Sequence, residues 1–423
     1  MQVFKFGGAS VSSAESISNT IRILGMFPGP KVIVISAMGK TTNALEELVK
    51  SYFTNDGKKT GIFESVKKYH QKIMEQLAGK KQTNWPVANN LFDMLEARIK
   101  TIPSANFDYE YDQIVPYGEL ISTAIISNFY NECGLTSRWI DIRKCLITDD
   151  TYRDANINWT LSGTEVKNTF NLQNDELIVT QGFLGGTTDG HTTTLGREGS
   201  DYTAAILANI LDAQNVTIWK NVPGILNADP ELLPATKKLD ELSYREAIEL
   251  SYSGAKIIHP KTIKPLQNKR IPLFVKSFDN PDQEGTIIHN VDHTLNLVPI
   301  FIIKQKQALI TLTPGDFSFI NIGSVSKVFS LFAEYRLKVS LIQQSAIDLS
   351  LAFDEPEHGI ESLIAELRKS FGTRYNTGLE LITIRYYNQE VIDEISKGRQ
   401  LYIEQRSRKT ARLLIKQKNG NLL

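Results

Sequence analysis

A chain of 423 residues has room for two or three domains and at least one large core. Its 47 lysines and arginines are balanced by 47 aspartates and glutamates, so no net basic field exists to hold nucleic acid or anionic lipid. No apolar run is long enough to cross a membrane, and residues from Gln2 read straight into a strand rather than a secretory leader, so the expectation is a soluble cytoplasmic protein with no membrane partner. The two cysteines, Cys133 and Cys145, lack a metal-ligand grouping and read as buried thiols of a reducing compartment.

In chain order, Gln2–Phe6, Lys31–Ser36, Ser137–Ile142, Leu177–Gln181, Val216–Trp219 and Leu273–Lys276 are predicted strands, alternating with helical patterns. That alternation signals an α/β sandwich around a mainly parallel sheet. Ser12 and Glu15 are spaced as a capping box, ahead of Ile17, Ile21 and Leu24 on one helical face. From about Ala44 onward the strand signal gives way to long polar helices, read as a helical lobe beside the sheet. Asn280–Pro299 reads as a connector, and a boundary is expected near residue 295. Beyond it come a strand at Ala308–Thr313 and a helical stripe of Val325, Val328, Phe329 and Phe332. Strands at Val339–Ile342 and Asp348–Phe353 follow, then a stripe of Ile360, Leu363, Ile364 and Leu367. This order suits a small split-βαβ domain, and a shorter second copy begins at Leu381.

Lys5-Phe6-Gly7-Gly8-Ala9-Ser10 stands where the first predicted strand enters the first helix. Paired glycines let backbone N–H groups approach an anion, and a strand-end lysine suits charge developing on a transferring phosphoryl group. A tight turn with a solvated lysine accounts for the same residues. Ser36 to Asn43, including Thr42, sets hydroxyls at the sheet edge where ligands collect, although a polar helix cap is the simpler account. Glu119 falls in the first turn of an apolar helix, where it either offsets the helix dipole or receives an ammonium group. The strongest local signal runs from Gln181 through the Gly- and Thr-rich stretch to Arg197, Ser200 and Asp201. It combines a strand end, a long loop, an arginine fork suited to a carboxylate and an aspartate at a helix start. Lys220 and Asn221 close the next strand, and Ser243 with Glu246 form another capping box. Lys256 follows that helix, where it reaches a phosphate or neutralises the helix end, and His259 before Pro260 reads as structural. No Walker sequence is present, which excludes a P-loop kinase.

Taken in order, KFGGAS, SAMGKTTN, YGELIS, WIDIR, QGFLGG with TTLGREGSDYTAA, WKNVPGILNADP and ELSYREAIELSYSGAKIIHPKTI resemble the aspartate kinases of the amino-acid kinase superfamily. The pairing of TTLGREGSD with GAKIIHP separates these from relatives acting on glutamate, carbamate, acetylglutamate or UMP. The resemblance implies a catalytic α/β sandwich over 1–290 with a helical lobe at about 44–110. It further implies an α+β ACT-like domain at 300–378 and a shortened second copy at 379–423. The implied reaction moves the γ-phosphoryl of ATP to the β-carboxylate of L-aspartate, with Mg²⁺ on the ATP phosphates and no metal ligand from protein side chains. By the same resemblance Lys5 stabilises the transferring group, Gly7, Gly8 and Ser10 shape its cradle, and Asp201 orients Lys5. Thr42 and Glu119 hold the amino acid, Arg197 its α-carboxylate, and Lys220, Asn221 and Lys256 line the nucleotide site.

The chain departs from the usual pattern at Ala9, Glu198, Asn221, Leu226 and Glu231, the last three on the nucleotide side. In the regulatory region Gly323, Val339, Gln344 and Ser345 keep the expected effector frame. Ser340 and Ala346 stand where lysine-sensing members carry acidic residues. A homodimer or dimer of dimers through the ACT-like domains is implied. Two alternatives stay open: a catalytically weak regulatory homologue, and a superfamily kinase for another amino acid.

Overall fold

A computed structural model describes residues 1–79, 83–171, 176–233, 235–255, 258–295, 297–316, 318–356 and 358–417. The chain divides into two compact units, one holding most of the first 295 residues and the other holding Leu226–Lys237, a stretch from Glu249, and the C-terminal part to residue 423.

In the first unit, strands β1 (Gln2–Phe6), β2 (Lys31–Ile35), β3 (Ser137–Ile140) and β4 (Leu177–Gln181) are followed by a short hairpin, β5 (Leu184–Gly186) with β6 (Thr192–Thr194). Then come β7 (Val216–Lys220), β8 (Glu241–Ser243), β9 (Leu273–Ser277) and β10 (Thr286–His289). Among the described residues the main sheet has the order β8-β10-β9-β7-β1-β2-β4-β3. Every neighbouring pair is parallel except β9 with β10. A parallel sheet has both faces covered, which is why β2 (KVIVI) and β4 (LIVTQ) are buried at every position.

Helix α1 (Ala14–Met26) follows β1. A lobe is formed by α2 (Thr41–Thr54), α3 (Lys59–Ala78), α4 (Pro86–Lys100) and α5 (Phe107–Ile114). Next come α6 (Tyr117–Glu132), buried on almost every side, α7 (Trp159–Thr169), α8 (Gly199–Ile210), α9 (Tyr244–Ser253) and α10 (Pro260–Lys269). The capping box of α1 is made by Ser13 and Ser16, one residue later than the expected Ser12 and Glu15. Ile23, rather than Ile21, shares the fully buried stripe with Ile17 and Leu24. The strand expected to reach Ile142 stops at Ile140, because Asp141 accepts the Arg143 N–H and caps a short 3-10 turn. The connector expected at Asn280–Pro299 carries β10, a member of the main sheet. Cys145 is buried, but Cys133 is exposed, contrary to expectation.

The second unit contains β11 (Ile300–Pro314), α11 (Ile322–Glu334), β12 (Val339–Gln344), β13 (Leu349–Asp354) and α12 (Ile360–Arg368). It continues with β14 (Phe371–Arg385), α13 (Gln389–Ser396), β15 (Leu401–Arg406) and β16 (Thr410–Lys416). Its antiparallel sheet, ordered β12-β13-β11-β14-β16-β15, confirms the expected α+β class. Alternate residues of β11 face opposite ways, so Ala308, Ile310 and Leu312 join the α11 and α12 core while Leu309 joins Leu341, Leu381 and Leu414. A Gln405 side-chain N–H donates to the Ile342 carbonyl at 2.6 Å, tying the two outer strands together.

Arg399 and Glu380 form an ion pair at 2.8 Å in this unit, with side chains only 4% and 3% exposed. Removing one partner strands the other charge, so Arg399→Met is expected to cost about 3 kcal/mol of stability. Urea unfolding followed by circular dichroism checks this; a change below about 1 kcal/mol contradicts it.

Candidate active site

The side chains that matter gather at the C-terminal ends of β1, β2, β4 and β7. Phe4 and Phe6 of β1 point into an aromatic cluster with Trp219. The two-residue strand period sends Lys5 to the opposite face. There Lys5 meets Asp201, in the first turn of α8, at 2.8 Å. The two side chains are 12% and 5% exposed, which disposes of the solvated-lysine reading. Burial alone pushes the Asp201 carboxyl up, but the Lys5 and Lys220 ammonium groups outweigh it and hold the carboxyl below its ordinary value.

Around this pair opens a cavity of about 590 Å³. Of the expected site residues, Lys5, Thr42, Glu119, Arg197, Asp201 and Lys220 all line it. Gly7, Gly8 and Ser10 are not among the residues that line it. Gly8 is required by close backbone approach, since a Cβ there would lie 2.7 Å from the Ala37 carbonyl oxygen. Asn221 is exposed and is absent from the lining, and Lys256 lies outside the described residues. His259 caps α10 by accepting the Lys261 N–H, the structural role expected of it.

Glu119 is 3% exposed, in the first turn of α6. One carboxyl oxygen accepts the Ala37 N–H at 3.1 Å, and the other has no partner among the described residues. Burial dominates and pushes its pKa up to about 8, against smaller opposing effects from that N–H and from Lys5. An uncompensated buried oxygen facing a cavity is a receptor for an incoming donor, above all a cation.

Sequence reasoning missed Glu46, Tyr111 and Arg153, which also line the cavity, while Phe183 and Thr194 reach it from within the stretch that gave the strongest local signal. Glu46 had a usable signal, since it sits one helical turn after Thr42 on α2. Its carboxylate accepts the Tyr111 hydroxyl at 2.7 Å. Glu198, noted before only as a departure, also lines the wall and holds a left-handed backbone (φ 57°) just ahead of α8. The expected loop between Gly186 and Arg197 is shaped by the β5–β6 hairpin, which delivers Thr194 and Arg197 to the cavity.

The four expected effector residues, all in the second unit, do not converge. Gln344 donates to the Ile320 carbonyl at 3.3 Å, and the Ser345 N–H to the Asp348 carbonyl at 2.8 Å, beside the start of α11 that holds Gly323. Val339 lies at the other end of β12, in a small cleft with Lys304, Lys338, Ser340 and Arg412.

A profile described as "Amino acid kinase family" matches residues 1–277. Lysine-sensitive aspartokinase 3 of Escherichia coli is 30% identical over 390 residues, covering 90% of this chain and 86% of that protein. The chain also matches Aspartokinase 1, chloroplastic, of Arabidopsis thaliana at 30% identity, covering 65% of it, and spans 42% of that plant's bifunctional aspartokinase/homoserine dehydrogenase 2. The crystal structure of E. coli aspartokinase III with aspartate and ADP superposes with a TM-score of 0.81 at 27% identity, covering 98% of this chain and 96% of that one. The same enzyme with lysine and aspartate gives equal values. The chain belongs to the amino acid kinase family, on its aspartokinase branch.

Glu119 supplies a pH test. Its value in the folded chain lies above the ordinary 4.5, so the folded state holds an extra proton between about 4.5 and 8 and loses stability as pH rises through that window. Glu119→Gln is therefore expected to melt higher than the parent at pH 8.5 and equally at pH 4.5. Affinity for an amino acid with a free ammonium should rise with pH toward 8 in the parent and be flat in the variant. Calorimetry and aspartate titrations across pH read both trends; a parent profile as flat as the variant's overturns the assignment.

Proposed function

We propose that this cavity transfers the γ-phosphoryl of ATP to the β-carboxylate of L-aspartate, giving 4-phospho-L-aspartate. The observation that carries the reading is the buried Lys5–Asp201 pair facing a cavity that also presents the unsatisfied Glu119 carboxyl and the Arg197 guanidinium. In the proposed geometry Glu119 takes the α-ammonium, Arg197 the α-carboxylate and Thr42 steadies the amino acid. The β-carboxylate then meets the phosphoryl group beside Lys5. A carboxylate is already a nucleophile, so no general base is needed, and catalysis is positioning plus charge stabilisation. Lys5 supplies that charge, and Asp201 fixes where its ammonium points. Gly7, Gly8, Ser10, Lys220, Asn221 and Lys256 form the nucleotide side.

Mg²⁺ fits as a companion of the nucleotide. Among the described residues no group of three or more His, Cys, Asp or Glu side chains is arranged to hold a metal ion, and Asp201 is committed to Lys5. When bound, the ion neutralises charge on the ATP phosphates. We assign residues 1–290 to catalysis, and 300–378 with 379–423 to an ACT-like regulatory and dimer-forming module. No helix among the described residues is long and apolar enough to cross a membrane, in keeping with action in the cytoplasm.

The decisive assay is ADP release with aspartate, glutamate, carbamate and UMP as acceptors. Aspartate alone is expected to support turnover. Lys5→Met should lower the single-turnover rate by about a hundredfold or more. Because Lys5 is buried against Asp201, the same variant leaves a carboxylate without its cation and should also melt lower. Turnover within a few-fold of the parent sinks the assignment.

Regulation by lysine is proposed to be weak. The Ser340 hydroxyl already accepts the Lys304 ammonium at 3.4 Å. Burial holds Lys304 below the usual lysine range; Asp354 counters this, and Lys338 and Arg412 reinforce it. A lysine side chain would add a further cation where, among the described residues, no carboxylate lines the cleft. Initial rates at subsaturating aspartate should change little with lysine; strong inhibition at micromolar lysine contradicts this.

A further inference from the structure

Resting on the aspartate reading of the cavity, we infer that Arg153 is a second guanidinium for the substrate α-carboxylate, set beside Arg197 by the backbone that joins their two loops. Both arginines line the cavity. The Ala155 N–H donates to the Thr194 carbonyl at 2.9 Å, which stitches the Arg153 turn to the strand leading into Arg197. Gly196, immediately before Arg197, packs so closely on that turn that a Cβ would lie 3.2 Å from the Arg153 carbonyl oxygen. Asp112, fully buried, clamps the same junction. It accepts the Arg153 N–H at 3.0 Å, the Thr194 N–H at 2.9 Å and the Thr194 hydroxyl at 2.7 Å.

The backbone at Arg153 makes the side chain's presence informative. Its φ of 71° lies in the left-handed region that glycine adopts freely and arginine does not. A strained residue held by its surroundings and facing a ligand cavity points to a use for the side chain. The guanidinium lies over the Tyr111 ring at 4.6 Å, which fixes its plane. Its ion pair with Asp108, at 3.0 Å through one terminal nitrogen, has side chains 48% and 54% exposed, so it contributes little and exchanges readily. Among the described residues the remaining side-chain N–H groups have no hydrogen-bond acceptor. A carboxylate has acceptor sites enough for two guanidinium groups. Holding the α-carboxylate from both sides adds affinity for the amino acid that is the same in the bound substrate and in the transition state.

The test exploits the backbone. Arg153→Gly removes the side chain and relieves the left-handed strain, so the variant should melt at or above the parent temperature. Its KM for aspartate should rise about tenfold or more, with kcat and the KM for ATP within about twofold. Aspartate binding by calorimetry should weaken in parallel, and Arg153→Lys should recover part of the loss. An Arg153→Gly enzyme whose aspartate KM stays within about twofold overturns the role of Arg153 while leaving the cavity's assignment intact. A parent enzyme that neither binds nor phosphorylates aspartate overturns both. A matching rise in the KM for ATP moves Arg153 to the phosphate side and also overturns the inference.

Discussion

The arrangement of the first unit depends on keeping the Lys5–Asp201 ion pair out of water at the edge of a parallel sheet. Taking two charges out of solvent costs several kcal/mol each unless geometry and hydrogen bonds offset it. Lys5 is fixed because β1 lies between β2 and β7, and its face of the strand is set by Phe4 and Phe6 packing on Trp219. Asp201 is fixed because it belongs to the first turn of α8, where the helix dipole also favours a negative charge. Close backbone approach at Gly8 holds the turn after β1 against the segment that follows β2. Each device is structural in origin, and together they hold a preorganised cation against the cavity.

The cavity contrasts three acidic side chains by their surroundings. Asp201 is held down by two ammonium groups. Glu119, with one N–H donor and distant help from Lys5, is pushed up to about 8. Asp112 is raised to about 6 by burial, even though it accepts from Arg153 and Thr194. One group is a permanent anion, another awaits a cation, and the last serves as a clamp. Environment, not residue type, assigns these states.

Much of this was legible in the sequence. Continuous β-branched runs such as Lys31–Ile35 announced buried parallel strands, and Lys5, Thr42, Glu119, Arg197 and Asp201 were picked out because the motifs that carry them resemble those of aspartate kinases. Tyr111 of α5 and Arg153 of its turn were illegible, because nothing local marks either as facing a site. Their placement comes from side-chain links across distant segments, such as Asp112 to Thr194. Boundary errors have local causes too. Asp141 ended β3 by capping the next turn, and β10 was mistaken for linker because Pro281 and Gly285 flank a strand of only four residues. The strands of the second unit were found but underestimated in length, since β11 and β14 each run 15 residues through stretches that include charged positions.

Strand β14 runs without a break across residues 378 and 379, where the two sequence repeats meet. It pairs with β11 on one side and β16 on the other. A chain shortened by a stop after Arg385 would keep β14 but lose β16, leaving the Leu379–Arg385 segment with one row of backbone N–H and C=O groups unmatched. That segment, Leu-Glu-Leu-Ile-Thr-Ile-Arg, holds four large apolar residues in seven, the kind of bare edge that recruits a neighbouring strand. Nonsense alleles and engineered truncations in this region thus carry a hazard of their own: their product is predisposed to stick to itself, and pairing with β16 is what keeps the edge closed.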